Sequence, residues 1–246
     1  MRPLRHGRNV ESVRKPNPSR EERAMLIAEE LYLLLTKDLG TQESPGTQRG
    51  YGLTAALIAD LVLAERVVLT EEQPPHLIVV SSSPTGHPVL DAGLAQLAGR
   101  NGKRLDQLVT WSKLDPEETV VASLVKQGVL AYGDRTFFGM GKPRTPEQDP
   151  EPERRTRTRL TAVLAGTAAP TAADATLLSV LQGLGVARYI LKAESNGMRG
   201  QELKTRIDAV VEHSPTGEAV DRAVQALNAA IMAAAAVIPA IAVGGA

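Results

Sequence analysis

Residues 229–246 read Ala-Ala-Ile-Met-Ala-Ala-Ala-Ala-Val-Ile-Pro-Ala-Ile-Ala-Val-Gly-Gly-Ala, eighteen positions without a polar side chain. A run of that length stands at the lower edge of what crosses a membrane. Its bulk is alanine, broken by Pro239 and ended by two glycines, and alanine adds little to insertion compared with leucine or isoleucine. A helix apolar on every side is also what the middle of a large bundle requires. The run is therefore read as part of a buried helix, Val224–Ile238, with a tail anchor as the competing reading. This sets the expected fold class: mainly α, a single helical domain around a buried hydrophobic C-terminal helix, with two short β-hairpins.

Outward from that run, helical periodicity fills the last third of the chain, at about 153–165, 171–184, 199–212 and from 217 onward. Leu90, Leu94 and Leu97 make one apolar stripe. Asp115 before Pro116 is a cap followed by the residue best tolerated at a first helical position, and Gly128 stops the helix it starts. Near the beginning, Ser19-Arg20-Glu21-Glu22 has the form of a capping box. Met25, Leu26, Ile27, Leu31, Leu34 and Leu35 follow it at helical spacing. Gly40 to Gly52 reads as a loop, and a second helix is expected from about Leu53, with Leu57, Ile58, Leu61 and Val62 on one face. Arg66–Thr70 and His76–Val80 predict a hairpin across Glu-Glu-Gln-Pro-Pro. Val129–Tyr132 and Arg135–Phe138 predict another, turning at Gly133-Asp134. Lys142 to Pro152 is rich in proline and polar residues, the pattern of an exposed loop.

Composition fits this picture. Of 246 residues 43% are apolar but only 3% aromatic, so the core must come from Leu, Val, Ile and Ala, residues that suit helix-on-helix packing. With no cysteine there is neither a disulfide nor a thiolate metal site, which fits a reducing, cytoplasmic setting. Residues 1–20 read as a flexible basic N-terminal arm and 21–246 as the helical domain. Arg2, Arg5, Arg8, Arg14, Lys15, Arg20 and Arg23 fall within the first 23 positions among prolines, with no apolar stretch of a secretory signal. Such an arm either stays solvated or adds attraction to an anionic membrane. A formal net charge of zero argues against binding polyanions over the whole surface.

Catalytic signatures are absent. His6, His76, His87 and His213 have no i, i+4 ligand spacing, Ser81-Ser82-Ser83 lacks a nucleophile elbow, and Gly139-Met140-Gly141-Lys142 is too short for a phosphate loop. Glu21-Glu22, Glu29-Glu30, Glu71-Glu72 and Glu117-Glu118 are read as helix starts or turns. No enzyme, metal or cofactor is expected. Arg154, Arg155, Arg157 and Arg159 form the densest internal basic run, read as a solvated helix face, with a phosphate site as the alternative. The helix before Gly128 and the hairpin after it have the outline of a winged-helix DNA-binding module. Its leading glutamates would repel phosphate, and no nucleic acid is expected as a partner.

Five stretches, in order, resemble the Golgi phosphoprotein 3 family. They are Leu26–Leu35 running into Lys37-Asp38, and Gly52-Leu53-x-x-Ala56-Leu57-Ile58-Ala59-Asp60-Leu61 with Arg66-Val67 beyond. Next come Ser83-Pro84-Thr85-Gly86-x-x-x-Leu90-Asp91-x-x-Leu94 and Leu124-Val125-x-x-Gly128-Val129-Leu130. The last is Arg159-Leu160-x-x-Val163-Leu164. The resemblance spans about 24–238 and implies a helical fold around a buried helix. It further implies a non-enzymatic peripheral protein, on the inner face of a membrane, that binds phosphatidylinositol 4-phosphate or another anionic phospholipid headgroup. Self-association through the 129–140 hairpin is also implied, for which Tyr132, Arg135, Phe137 and Phe138 are the candidates. A soluble protein–protein scaffold and a DNA-binding regulator are the alternatives.

The family's four headgroup positions, a Trp and three Arg, align here with Pro45, Thr54, Leu114 and Glu117, and none matches. Arg49, Trp111 and Lys113 lie nearby in sequence and are the candidate substitutes. The alanine-rich, cysteine-free composition and the missing lipid site resemble the bacterial relatives.

Overall fold

The computed structural model describes residues 24–43, 49–134, 143–212 and 218–236, with side chains of the last stretch described over 222–233. The basic arm, and the capping box expected at Ser19, lie outside the described residues. Ten helices appear among those described: α1 Ile27–Leu34, α2 Arg49–Leu63, α3 Pro88–Leu97, α4 Leu105–Val109, α5 Glu117–Gln127, α6 Glu151–Ala165, α7 Ala172–Gly183, α8 Ala187–Ile190, α9 Gly200–Glu212 and α10 Glu218–Ala236. A small antiparallel sheet in the order β1-β2-β3 joins Val67–Leu69, His76–Val79 and Lys103–Arg104. The fold is mainly α, as the periodicity predicts. The first hairpin forms in the register Val67↔Val79 and Leu69↔Leu77. Strand β3, only two residues long, carries no sequence signal; it pairs as Leu77↔Lys103 and His76↔Arg104.

The helix enclosed on every side is α1, whose eight residues are all buried, including Glu29 and Glu30. It packs against α2, α5, α6 and α7. Its start differs from the expectation: residues 24–26 are not helical, and the cap comes from another helix. Asp60 of α2 accepts hydrogen bonds from the Ile27 N–H at 2.9 Å and the Ala28 N–H at 3.0 Å. Those donors are orphans of any helix start, and here they are buried where water cannot satisfy them.

The C-terminal helix buries a face and not its whole circumference. Ala223, Val224, Leu227, Ala230 and Ile231 are buried against α7, α2 and α4, whereas Gln225, Met232 and Ala233 are exposed. It starts at Glu218, as the periodicity from 217 onward predicts, and positions 237–246 lie outside the described residues.

Two loop readings need correction. Helix α2 begins at Arg49, inside the expected Gly40–Gly52 loop, because Gly50 and Gly52 let it press against Asp115 and the Leu184 side chain. The second hairpin pairs differently too. The Ala131 N–H bonds to Pro146 O at 3.0 Å, the Gly133 N–H to Arg144 O at 2.9 Å, and the Arg144 N–H to Asp134 O at 3.0 Å. Gly133-Asp134 therefore sits inside a ladder with 144–148 instead of turning the chain. The same stretch donates from the Glu147 N–H to Asp38 O and buries Thr145, whose hydroxyl lies 2.9 Å from the Tyr32 hydroxyl. The Pro-rich segment is thus stitched into the molecule where sequence suggested an open loop.

Candidate functional site

The Ser83–Leu94 motif shapes the entry to α3. Asp91 Oδ1 accepts from the Thr85 N–H at 2.6 Å and the Thr85 hydroxyl at 2.7 Å, and the Thr85 hydroxyl oxygen accepts from the His87 N–H at 3.1 Å. Hydrogen bonds from Thr85 hold the Asp91 carboxyl below its ordinary value. The motif's threonine and aspartate therefore close a turn, and Gly86, at φ +79°, supplies the left-handed step in it.

Helix α3 forms one wall of a cleft of about 390 Å³. Leu57 of α2 is its floor, Gly93 and Gln96 line one side, and Lys113 to Thr119 line the other, around the start of α5. Asp115 Oδ1 accepts from the Glu117 N–H at 3.0 Å, so Asp115 does cap this helix. Pro116 occupies the cap position, one step earlier than predicted, and Gly128 closes the helix at φ +79°.

Carboxylates dominate the cleft: Asp115, Glu117 and Glu118 face one lysine, Lys113. Arg49, the nearest guanidinium by sequence, is taken. Its Nη2 lies 2.5 Å from Glu117 Oε1, its Nη1 donates to Thr36 Oγ1 at 3.4 Å, and its guanidinium sits 4.9 Å from the Tyr32 ring centre. Both partners of this ion pair are about 13–14% exposed, so the pair is screened little by solvent. Trp111 is half-buried on the core, with the Arg100 guanidinium 4.4 Å above its ring. Of the three candidate lipid residues, Lys113 alone lines the cleft. Sequence reading missed that Arg49 pairs with Glu117 and that Arg100 stacks on Trp111, because 68 residues separate Arg49 from Glu117 and no local pattern joins them. Tyr132 is 58% exposed; Arg135, Phe137 and Phe138 lie outside the described residues.

The family model described as Golgi phosphoprotein 3 (GPP34) matches residues 27–227, from the first residue of α1 into α10. The chain belongs to the Golgi phosphoprotein 3 family. No curated protein matches it at a significant level. At the level of the family, Golgi phosphoprotein 3 proteins are membrane-associated lipid binders and are not known as enzymes. Of the positions aligned with the family's headgroup residues, Thr54 and Leu114 are buried at 1% and 2% exposure and Glu117 is the partner of Arg49. Pro45 lies outside the described residues. Among the described residues no helix is long and apolar enough to cross a membrane, and no group of three His, Asp or Glu residues can hold a metal ion.

Half of the basic run of α6, Arg154 and Arg155, takes the solvated face expected of it, and half does not. Arg159 reaches inward, its Nη1 and Nη2 donating to Glu30 at 3.0 and 2.9 Å and its Nε to Asp174 at 2.5 Å. Arg157 bonds Glu153 at 2.6 Å and the buried Glu194 at 2.8 Å. Arg155 is exposed. Glu29 and Glu30, expected in a solvated first turn, are the buried ends of these networks. Glu29 accepts from the Ser123 hydroxyl at 2.6 Å and the Gln127 amide at 2.9 Å.

Proposed function

We propose that this protein is a non-enzymatic, peripheral binder of anionic membranes that lacks a selective phosphatidylinositol 4-phosphate pocket. The observation that carries the reading is the Arg49–Glu117 pair beside a cleft whose other charges are mostly carboxylates. A headgroup phosphate needs convergent cationic donors, and here the nearest guanidinium already serves the half-buried Glu117 carboxylate. Each missing charge-assisted contact is worth about 1.5–3 kcal/mol, so three unmatched arginine positions remove most of a specific affinity. Attraction then comes from dispersed charge: the basic arm, at about 1 kcal/mol per residue near the surface, with Arg100, Trp111 and Lys113 as a minor contribution.

Co-sedimentation with liposomes tests this. Acidic vesicles should bind and vesicles of phosphatidylcholine alone should not, with phosphatidylinositol 4-phosphate giving no advantage over other acidic lipids at equal charge. Deleting residues 1–20 should weaken binding more than the Arg49→Ala, Lys113→Ala double substitution does. A double substitution that abolishes binding while the arm deletion leaves it intact would refute this account. Self-association through the 129–140 segment, with Tyr132 and the three residues beyond it, belongs to the same proposal. Sedimentation velocity of a Tyr132→Ser variant should show a shift toward monomer.

A further inference from the structure

A second cleft, of about 330 Å³, opens on a different part of the molecule, between α7, α9 and α10. Three of the residues that line it carry a buried polar atom without a hydrogen-bond partner: Ser179 Oγ, Gln182 Oε1 and Asn228 Oδ1. Ser179 is 1% exposed. Elsewhere on α7 the Thr176 hydroxyl donates back to Ala172 O at 2.8 Å, the usual resting place of a helical hydroxyl, and Ser179 makes no such bond. Gln182 is oriented by its amide nitrogen, which donates to Asp208 Oδ1 at 2.7 Å and leaves the oxygen turned away from that bond. A buried polar atom left without a partner is destabilising, so three on residues around one cavity mark a place suited to receive hydrogen-bond donors.

The chemistry of the ligand follows from the atoms. Two are amide oxygens, which only accept, and the third is a hydroxyl, which can accept. The rim adds Asp208, bridged to Lys204 at 2.7 Å, and Glu212, which leaves the cleft's net charge negative. Ile207 and Val211 give it an apolar wall. An acceptor-rich floor, an acidic rim and an apolar wall match a group with several N–H donors, a positive charge and a short hydrocarbon body. We propose that this cleft binds a primary-ammonium compound, either a free amine or the ammonium of an aminophospholipid headgroup. It is remote in sequence from the Arg49–Glu117 cleft and independent of how the protein meets acidic lipids.

Calorimetric titration of the full chain with putrescine, ethanolamine and choline tests the proposal. Putrescine and ethanolamine should bind, and choline, which carries the charge without an N–H, should bind at least about ten-fold more weakly. Ser179→Ala should weaken ethanolamine by about ten-fold, and Glu212→Gln by about two- to three-fold at low salt. Because Ser179→Ala deletes a hydroxyl that has no partner, its unfolding midpoint should equal or exceed the parent's, so lost binding cannot be lost folding. Vesicles of phosphatidylethanolamine in phosphatidylcholine, compared with phosphatidylcholine alone, separate the two sources, since neither carries net charge to draw the basic arm. Recruitment that free ethanolamine reverses assigns a headgroup; free amines that bind without recruitment assign a soluble ligand. Either outcome upholds an ammonium site. Choline and ethanolamine binding equally, or neither amine binding, overturns it.

Discussion

Asp60 shows how one side chain positions a whole helix. Substituting alanine leaves the Ile27 and Ala28 N–H groups buried without acceptors, at a cost of about 2–4 kcal/mol, measurable as a lowered urea midpoint. Burial pushes the Asp60 carboxyl up from 3.8 to about 8, outweighing the two backbone donors, with Glu29 and Glu30 adding in the same direction. The folded state therefore keeps this proton to a higher pH than the unfolded chain does. Its contribution to stability is greatest below about pH 4 and declines as the pH rises toward about 8. Asp60→Asn should flatten that part of the stability–pH profile, and an unchanged slope would assign it to other groups. Arg159 makes the complementary case. Arg159→Ala strands the buried Glu30 and Asp174 carboxylates and should cost about 2–3 kcal/mol by chemical denaturation, less than a fully enclosed pair because the guanidinium edge reaches water. Arg159→Lys should fall between, since lysine cannot reproduce the two-pronged contact with Glu30.

Between elements, glycines decide how closely helices approach, and two of them separate backbone from packing. Gly128 ends α5 at φ +79° with open space where a methyl group would project, so Gly128→Ala should cost about 1 kcal/mol from conformation alone. Gly93 has ordinary helical geometry, but a Cβ there would lie 2.9 Å from Leu57 Cδ2. The end of a leucine can shift, and alanine gains up to about 1 kcal/mol of helix propensity, so Gly93→Ala should be near neutral. Gly93→Val adds methyls the gap cannot take and should cost about 1–3 kcal/mol. Thermal midpoints of the three variants give the order: valine at 93 lowest, alanine at 128 next, alanine at 93 close to the parent.

For the whole molecule, α10 is the closing element. Removing residues 227–246 takes away Leu227, Ala230 and Ile231 and uncovers the apolar faces of α7, α2 and α4. Surface of that kind left exposed favours aggregation, and the truncated chain should be insoluble on expression. A soluble truncation that unfolds cooperatively would show that the end of the chain is dispensable to the fold.

Periodicity and punctuation were enough to place the helical fold class, helices α3, α5, α6, α7, α9 and α10, the first hairpin, the Asp115 cap and the Gly128 stop, while the short α4 and α8 carried no signal. Each depends on residues within a turn or two of one another, where spacing alone carries the physics. Five ordered motifs also pointed to the family whose model matches residues 27–227. What only tertiary structure decided is where the charges go. Glu29 and Glu30 look like a solvated first turn, yet their partners at Ser123, Thr156 and Arg159 lie 94 to 129 residues away. Arg49 looks free to hold a phosphate until Glu117 is brought to it across 68 residues. Residues 144–148 look like an open loop until Ala131 and Gly133 offer them a ladder. A buried charge is tolerated only where the fold delivers its counter-charge, and that delivery leaves no periodic trace along the chain.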